Sequence, residues 1–237
     1  NIPKVDALRV IDLGAGTGSN LRYLAPRLAC AQDWTLIDAE RALLDAASGP
    51  MISAPLNVTL RQLDLNRQLD ALNFEMCDLV TASALFDLVS EAWVARLAKK
   101  CAAAKVKYGL FATSVDGRII WTPHEAADDA VGIAFNAHMR RDKGFGPALG
   151  ADAPSIAEKY FTAAGYRVCS GDSSWHLGVG ESELQSHLLQ GYLRAASEQD
   201  PGQSELFQAW AGRRGAHIAQ GQSGLVVGHC DVLVCLD

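Results

Sequence analysis

The stretch VIDLGAGTGSNL, residues 10–21, carries glycines at alternate positions, Gly14, Gly16 and Gly18, between a strand-like run and a helix-like run. Glycine has no Cβ, so a turn built from it exposes backbone N–H groups beside the partial positive charge of a helix N-terminus. The stretch therefore predicts a nucleotide-binding turn. Ser19 stands where dinucleotide-binding G-x-G-x-x-G turns carry their last glycine, and no lysine follows to make a GxxxxGK phosphate loop.

Strand and helix patterns alternate through the first half of the chain. Short runs rich in β-branched and apolar residues predict strands at 8–13, 34–38, 57–63, 77–82 and 107–113. Helical spacing of apolar residues separates most of them, at 19–28, 40–47 and 91–101. Such alternation predicts an α/β fold, with a parallel sheet and helices on both faces.

After Gly117, strand and helix patterns no longer alternate regularly. A helix is predicted over 123–141, with Thr122 as its N-cap, Pro123 at the first helical position and Glu125 completing a capping box. The remaining elements are two helices, at 155–164 and 181–197, and two strands, at 166–170 and 225–235. These two strands bring the predicted total to seven.

The segment DLGAGTG, residues 12–18, resembles motif I of the class I S-adenosylmethionine-dependent methyltransferases. The resemblance implies that Asp38, at the end of the second strand, binds the ribose hydroxyls of the cofactor. It also implies that Asp64, after the third strand, meets the adenine amino group, with Leu65 beside it. The run 78–87 resembles motif IV, whose end faces the methyl group. S-adenosyl-L-methionine is then the implied cofactor, and its implied binding residues are Asp12, Gly14, Gly16, Gly18, Asp38, Asp64, Leu65 and Ser83.

The same resemblance specifies the sheet. It implies a seven-stranded, mostly parallel, Rossmann-like sheet in which the last strand, 225–235, lies antiparallel between the fifth and sixth strands. The chemistry of the cofactor agrees with the residues present. S-adenosyl-L-methionine has no phosphates, so it needs a carboxylate for two hydroxyls and apolar walls rather than a phosphate cradle.

Composition and charge narrow the class of methyl acceptor. The chain has 237 residues and a formal net charge of −6, which argues against a nucleic-acid partner, because phosphates call for a basic face. The run 81–86 also lacks the [DNS]-P-P-[YFW] motif of nucleic-acid amino-methyltransferases and the Pro-Cys of cytosine C5 enzymes. We therefore expect a small-molecule acceptor. The methylated atom (oxygen, nitrogen or carbon) and the oligomeric state stay open.

The spacing of the cysteines and the length of the apolar runs indicate the cellular compartment. Six cysteines are scattered without a CxxC pair or Cys/His ligand spacing, which favours reduced thiols in a cytoplasmic protein and predicts no metal site. No apolar run has the length of a membrane span, so no membrane partner is expected. The chain begins at Asn1 rather than at a methionine, which leaves open whether an N-terminal segment precedes it.

Two segments are expected to shape the acceptor pocket. The whole chain, 1–237, is predicted to form one domain, with a lid insertion at 118–150 and a second insertion at 172–222. The predicted lid follows the fifth strand, and ligands of open α/β sheets bind at the carboxyl edge of the strands.

Candidate catalytic residues lie in the predicted lid. At 3.6 residues per turn, His124 and His138 would share one face of the helix with Asp128. An imidazole oriented by a carboxylate can remove a proton from an attacking hydroxyl or amine, so the two histidines are the predicted catalytic residues. Arg140 and Arg141, beside a glycine-rich loop, are predicted to bind an anionic group of the acceptor.

Two other interpretations stay open from the sequence. A non-catalytic partner protein would bind S-adenosyl-L-methionine equally well but would lack a working acceptor pocket. An NAD(P)-dependent oxidoreductase would use a related fold, but the missing third glycine and the presence of Asp64 count against it.

Overall fold

The computed structural model describes residues 7–47 and 55–236; residues 1–6, 48–54 and 237 lie outside the described residues. Within the described part, eight strands form one sheet: β1 Leu8–Leu13, β2 Gln32–Asp38, β3 Leu56–Gln62, β4 Leu79–Ser83, β5 Tyr108–Thr122, β6 Arg167–Asp172, β7 Trp175–Leu177 and β8 Gly224–Cys235. The same part contains eight α-helices: α1 Ser19–Leu24, α2 Arg41–Asp45, α3 Leu65–Gln68, α4 Glu91–Ala103, α5 Asp128–Met139, α6 Ala153–Ala163, α7 Ser182–Gln199 and α8 Ser204–Ala219. The prediction of one domain over 1–237 includes residues outside the described ranges and stays a prediction.

The strand order of the sheet is β3-β2-β1-β4-β5-β8-β6, and β7 pairs separately with β8. Strands β1 to β5 are parallel where they pair, and β8 is antiparallel to β5, β6 and β7. The predicted α/β, Rossmann-like sheet is confirmed, including the antiparallel last strand between the fifth and sixth. The eighth strand, β7, was not predicted, because three residues are too few to show an alternating pattern.

Strand β5 is much longer than the sequence predicts. It runs to Thr122 because its second half pairs with β8, with Ile119 opposite Val227 and Trp121 opposite Leu225. The predicted capping box is therefore wrong: Thr122 is the last strand residue, and the helix predicted over 123–141 begins at Asp128 instead. Pairing with a partner strand that is distant in sequence has overridden a valid local helix signal.

Helix α8 was also not predicted. Its buried face consists of Phe207, Trp210, Ala211, Arg214 and Ile218, which have helical spacing. In the sequence, Arg214 interrupts the apolar positions of this face, because a charged residue is rarely fully buried unless it is paired. The helical pattern was therefore missed. None of the helices in the described ranges combines the length and the apolar composition that a membrane-spanning segment requires.

Three groups of buried side chains hold the layers together. One lies between the sheet and helices α4 and α6 and includes Phe86, Phe111 and Phe161. A second lies on the other face, under α1 and α2, and includes Trp34. The third joins the far ends of β5 and β8 to helices α5, α7 and α8, with Trp210 among its members. Helices α5, α7 and α8 thus pack together beside the carboxyl edge of the parallel strands.

Candidate cofactor and acceptor site

The glycine turn between β1 and α1 adopts a backbone that other residues rarely accept. Gly14, Gly16 and Gly18 have φ of +68°, +53° and +79°, in the left-handed region. A Cβ at Gly14 would lie 3.3 Å from the side chain of Leu85, and one at Gly16 would meet no atom within 4 Å. The glycines therefore set the turn conformation and leave open space beside its N–H groups.

Asp38 is fixed against this turn at the carboxyl end of β2. Its Oδ2 accepts a hydrogen bond from the N–H of Gly16 at 2.8 Å, and its Oδ1 accepts one from Glu40 at 2.9 Å. Each carboxylate oxygen has a further acceptor position. The carboxylate is thus held rigidly and retains capacity to accept hydrogen bonds from a diol.

Asp64 caps helix α3 after β3. Its Oδ1 accepts hydrogen bonds from the backbone of Asn66 at 2.9 Å and Arg67 at 3.3 Å. The next residue, Leu65, is buried, and its carbonyl accepts a hydrogen bond from the Trp93 indole at 2.9 Å. This capping fixes the position of the Asp64 carboxylate and of the Leu65 backbone.

Four of the predicted cofactor residues, Gly14, Asp38, Asp64 and Leu65, line one cavity of about 380 Å³, here called the turn cavity. Its lining comprises Gly14, Asp38, Ala39, Asp64, Leu65, Asn66, Arg67, Leu85, Lys143, Gly144 and Phe145. The sequence did not place the loop 143–145 here. Asn66 donates a side-chain hydrogen bond to the Gly144 carbonyl, and the Phe145 ring packs edge-on against Trp93 at 5.9 Å.

Asp12 lies fully buried beneath the turn. Asn20 donates a hydrogen bond to its Oδ1 at 2.8 Å, while no described residue is bonded to Oδ2. Burial raises the pKa of Asp12 to about 7, with the charge of Asp38 adding to the effect and the Asn20 bond opposing it. Asn20 also bonds Thr81 on β4 at 3.1 Å, so it ties the turn to the neighbouring strand.

A second cavity, here called the strand-end cavity, lies at the carboxyl end of β4, where the pairing of β4 with β5 ends at Ala112. It has a volume of about 450 Å³ and is lined by Ser19, Asn20, Tyr23, Ser83, Ala112, Thr113, Ser173, Trp175 and Asp231. Ser83, a predicted cofactor residue, lines this cavity, and its hydroxyl lies 3.2 Å from the Thr113 hydroxyl. Ala84 and Thr113 have φ of +53° and +57°. This left-handed conformation is energetically unfavourable for non-glycine residues and is found most often at functional sites.

The predicted catalytic histidines occupy different places. His124 precedes α5, so it does not share a helical face with His138 as expected. Its Nδ1 lies 3.3 Å from Asp128, and His138 Nε2 lies 3.0 Å from Glu198. Neither histidine is among the described residues that line the turn cavity or the strand-end cavity.

Asp128, the predicted orienting carboxylate, is engaged elsewhere. Its two oxygens form a bidentate ion pair with Arg214, and Oδ1 also accepts from Trp210 at 2.7 Å. Burial alone would raise the pKa of Asp128, but Arg214, the Glu125 N–H and Trp210 together hold it below its usual value. Asp128 is a structural anchor between α5 and α8.

The two predicted substrate arginines also lie outside both cavity linings. Arg140 forms an ion pair with Asp152 at 2.8 Å, and Arg141 donates to the Glu198 carbonyl at 2.9 Å. Both guanidinium groups are therefore occupied by the protein itself.

The residues present fit S-adenosyl-L-methionine. Asp38 offers acceptor positions for two hydroxyls, Leu65 and Leu85 supply apolar walls, and Gly16 leaves open space beside the turn. Ser19 and Asn20, which directly follow the turn, line the strand-end cavity. A cofactor held in the turn cavity would therefore have the strand-end cavity beside the same turn.

Comparison with known proteins supports this assignment. Residues 10–109, which contain the glycine turn, Asp38, Asp64 and Ser83, match the model of a family described as a methyltransferase domain. Comparison with curated proteins finds no significant match.

Two solved structures share the fold over nearly the whole chain. The cyclopropane synthase MmaA2 from Mycobacterium tuberculosis is 11% identical with a TM-score of 0.52, over 97% of this chain and 78% of that one. A candidate methyltransferase from Bacillus halodurans C-125 is 13% identical with a TM-score of 0.54, over 96% of this chain and 91% of that one. The family match also favours a methyltransferase over the dinucleotide-dependent oxidoreductase that the sequence left open. Over residues 10–109 the chain therefore matches a methyltransferase domain, and its sheet has the fold of the methyltransferase structures compared; the residues of the turn cavity fit S-adenosyl-L-methionine, the cofactor of class I methyltransferases.

Proposed function

We propose that this protein transfers a methyl group from S-adenosyl-L-methionine to a small molecule bound in the strand-end cavity. The observation that carries the proposal is the cavity itself, about 450 Å³ in volume, at the carboxyl end of β4 and beside the glycine turn. Ligand pockets for small molecules have volumes of roughly 300–1,000 Å³.

We assign the cofactor contacts from the geometry of the turn cavity. Asp38 binds the ribose hydroxyls, Asp64 and the Leu65 backbone bind adenine, and the backbone of the glycine turn binds the methionine part. Ser83, the last residue of β4, lines the strand-end cavity, and we assign it to the side of that cavity that faces the methyl group. When bound, the cofactor supplies a sulfonium methyl group and leaves as S-adenosylhomocysteine.

The two predicted insertions contribute to the site in different ways. Lys143 and Phe145, from the segment 118–150, close the turn cavity, while Ser173 and Trp175, from the segment 172–222, line the strand-end cavity. We propose that the protein accelerates transfer by positioning the acceptor. Such positioning can lower the activation free energy by on the order of 7–11 kcal/mol. His124 and His138 have no part in this proposal.

We also propose that the protein works in the cytoplasm. All six cysteines are free thiols, and two of them, Cys77 and Cys101, are buried in the core. Free thiols persist in a reducing compartment.

A transfer assay tests the acceptor class. The protein is incubated with S-adenosyl-L-methionine labelled in its methyl group and a cell extract, which is then separated into small-molecule, protein and nucleic-acid fractions. We expect label in the small-molecule fraction with the intact protein and not with Asp38→Ala. Label transferred to protein or nucleic acid, and lost with the same variant, would contradict the small-molecule proposal.

A further inference from the structure

Asp231, on β8, places a carboxylate in the strand-end cavity. Its Oδ1 accepts hydrogen bonds from the Thr113 N–H at 2.8 Å and from the Ser173 hydroxyl at 2.7 Å, while no described residue donates to Oδ2. Asp231 is also the only charged side chain among the described residues that line this cavity. A rigid carboxylate with one open oxygen, among neutral groups, favours a cation or a strong hydrogen-bond donor.

Trp175 provides the second feature of the cavity. It forms part of the wall of the strand-end cavity and also lines a third cavity of about 280 Å³. The indole is 38% exposed and packs against the His229 imidazole with ring centroids 4.6 Å apart. An indole face attracts an ammonium group and also makes good contact with an apolar chain.

The third cavity, here called the apolar cavity, lies between the ends of β5 and β8 and helices α5 and α7. Its apolar lining includes Val115, Ile119, Phe135, Leu188, Tyr192 and Val227. Arg118 also lines it, but this guanidinium is paired with Asp116 and Asp172. Burial lowers the pKa of His229, so its imidazole is neutral near pH 7.

The strand-end cavity and the apolar cavity lie along the same face of the sheet. On a strand, alternate residues point to one side, and Val227, His229 and Asp231 alternate along β8. Val227 and His229 line the apolar cavity, Asp231 lines the strand-end cavity, and Trp175 borders both. Trp175 is therefore the residue that the two cavities share, and a ligand that occupies both would pass its indole.

We propose that the methyl acceptor is an amine with an apolar tail, its nitrogen anchored by Asp231 and its tail lying past Trp175 in the apolar cavity. This proposal rests on the proposed function and adds the substrate class. Asp231 Oδ2 is placed to take one proton from the bound ammonium group and pass it to solvent, which frees the nitrogen lone pair. Methyl transfer then forms one N–C bond, breaks the S–C bond of the sulfonium, and leaves a methylated ammonium group and S-adenosylhomocysteine.

Binding of simple probes tests the role of the charge. The protein, saturated with S-adenosylhomocysteine, is titrated calorimetrically with hexylamine, hexan-1-ol and hexanoate, which have the same chain length. We expect hexylamine to bind at least about tenfold more tightly than hexan-1-ol, and hexanoate to bind least, because one charge-assisted bond supplies about that factor. Asp231→Asn, which retains the Oδ1 acceptor, should reduce hexylamine binding to the level of hexan-1-ol.

The matched control for this charge is Asp129→Asn, an exposed aspartate on α5 outside the described cavity linings. It should leave hexylamine binding unchanged. Equal binding of the amine and the alcohol, or an unchanged amine affinity in Asp231→Asn, would overturn the proposal. Binding of S-adenosylhomocysteine is measured first: its loss would contradict the proposed function, whereas its retention without amine preference contradicts only the substrate class.

Chain length tests the apolar cavity. Affinity should rise about fourfold for each CH₂ from methylamine to hexylamine, the factor expected for burying a methylene. Gly191→Leu places a side chain at the cavity lining, where a Cβ meets no atom within 4 Å, and should weaken hexylamine about tenfold while sparing methylamine. Gly212→Leu, at another helical glycine with open space, is the control. Affinities independent of chain length would refute the tail assignment.

Discussion

The buried pair between Asp128 and Arg214 yields the sharpest prediction about stability. The Arg214 side chain is 0% exposed and that of Asp128 is 6% exposed, so Asp128→Asn leaves a buried guanidinium without its main counter-charge. Breaking one partner of a buried pair costs about 3–5 kcal/mol. Glu125 lies 3.9 Å from Arg214 and compensates in part, so we expect a loss near the lower figure, about 3 kcal/mol. For a chain of this size that loss lowers Tm by about 6–12 °C.

The neighbouring Asp129 provides an unusually close control. Both aspartates lie in the first turn of α5, where either carboxylate interacts with the helix dipole, but Asp129 is exposed. Asp129→Asn should therefore change the free energy of unfolding by no more than about 0.5 kcal/mol. Urea unfolding followed by circular dichroism measures both variants. A difference between them below about 1 kcal/mol would refute the inference that the ion pair anchors α5 to α8.

Two further predictions concern burial and backbone space. Because the folded-state pKa of Asp12 is raised to about 7 from 3.8, the folded protein retains a proton that the unfolded chain releases, so stability falls as pH rises between these values. Asp12→Asn should remove up to about 4 kcal/mol of that fall, measured by urea unfolding from pH 4 to 8; an unchanged slope would contradict the assignment. Gly228→Ala should cost about 1–3 kcal/mol, because its Cβ would lie 2.7 Å from Arg118 Cβ. Gly132→Ala, on α5 with no atom within 4 Å, should be neutral or stabilising by up to about 1 kcal/mol, and equal costs for both would contradict this.

The sequence predicts those parts of the fold that are determined by residues close together in the chain. The glycine turn, the acid ending β2 at Asp38 and the acid after β3 at Asp64 all lie next to strands whose residues alternate or run apolar. Parallel strands place their carboxyl ends at one edge, so these separate signals converge on one cavity without any long-range information.

The acceptor side could not be predicted in the same way. Asp231 meets the backbone of Thr113 across 118 positions of sequence, and Trp175 lies on a three-residue strand that shows no pattern. The local signal at Thr122 was also misleading, since pairing of β5 with β8 converted a helix cap into a strand end. One signal was available: Phe207, Trp210 and Ile218 have the spacing of a buried helix face.

Binding of S-adenosylhomocysteine tests the central claim most directly. Asp38 is held by two backbone N–H groups and presents its carboxylate to the turn cavity, and bonds to a charged group contribute about 1.5–3 kcal/mol each. Calorimetric titration should show binding by the intact protein and by Asp33→Ala, a control at the opposite end of β2, with binding at least about 100-fold weaker in Asp38→Ala. No binding by the intact protein, or equal binding by Asp38→Ala, would contradict the assignment of the cofactor site.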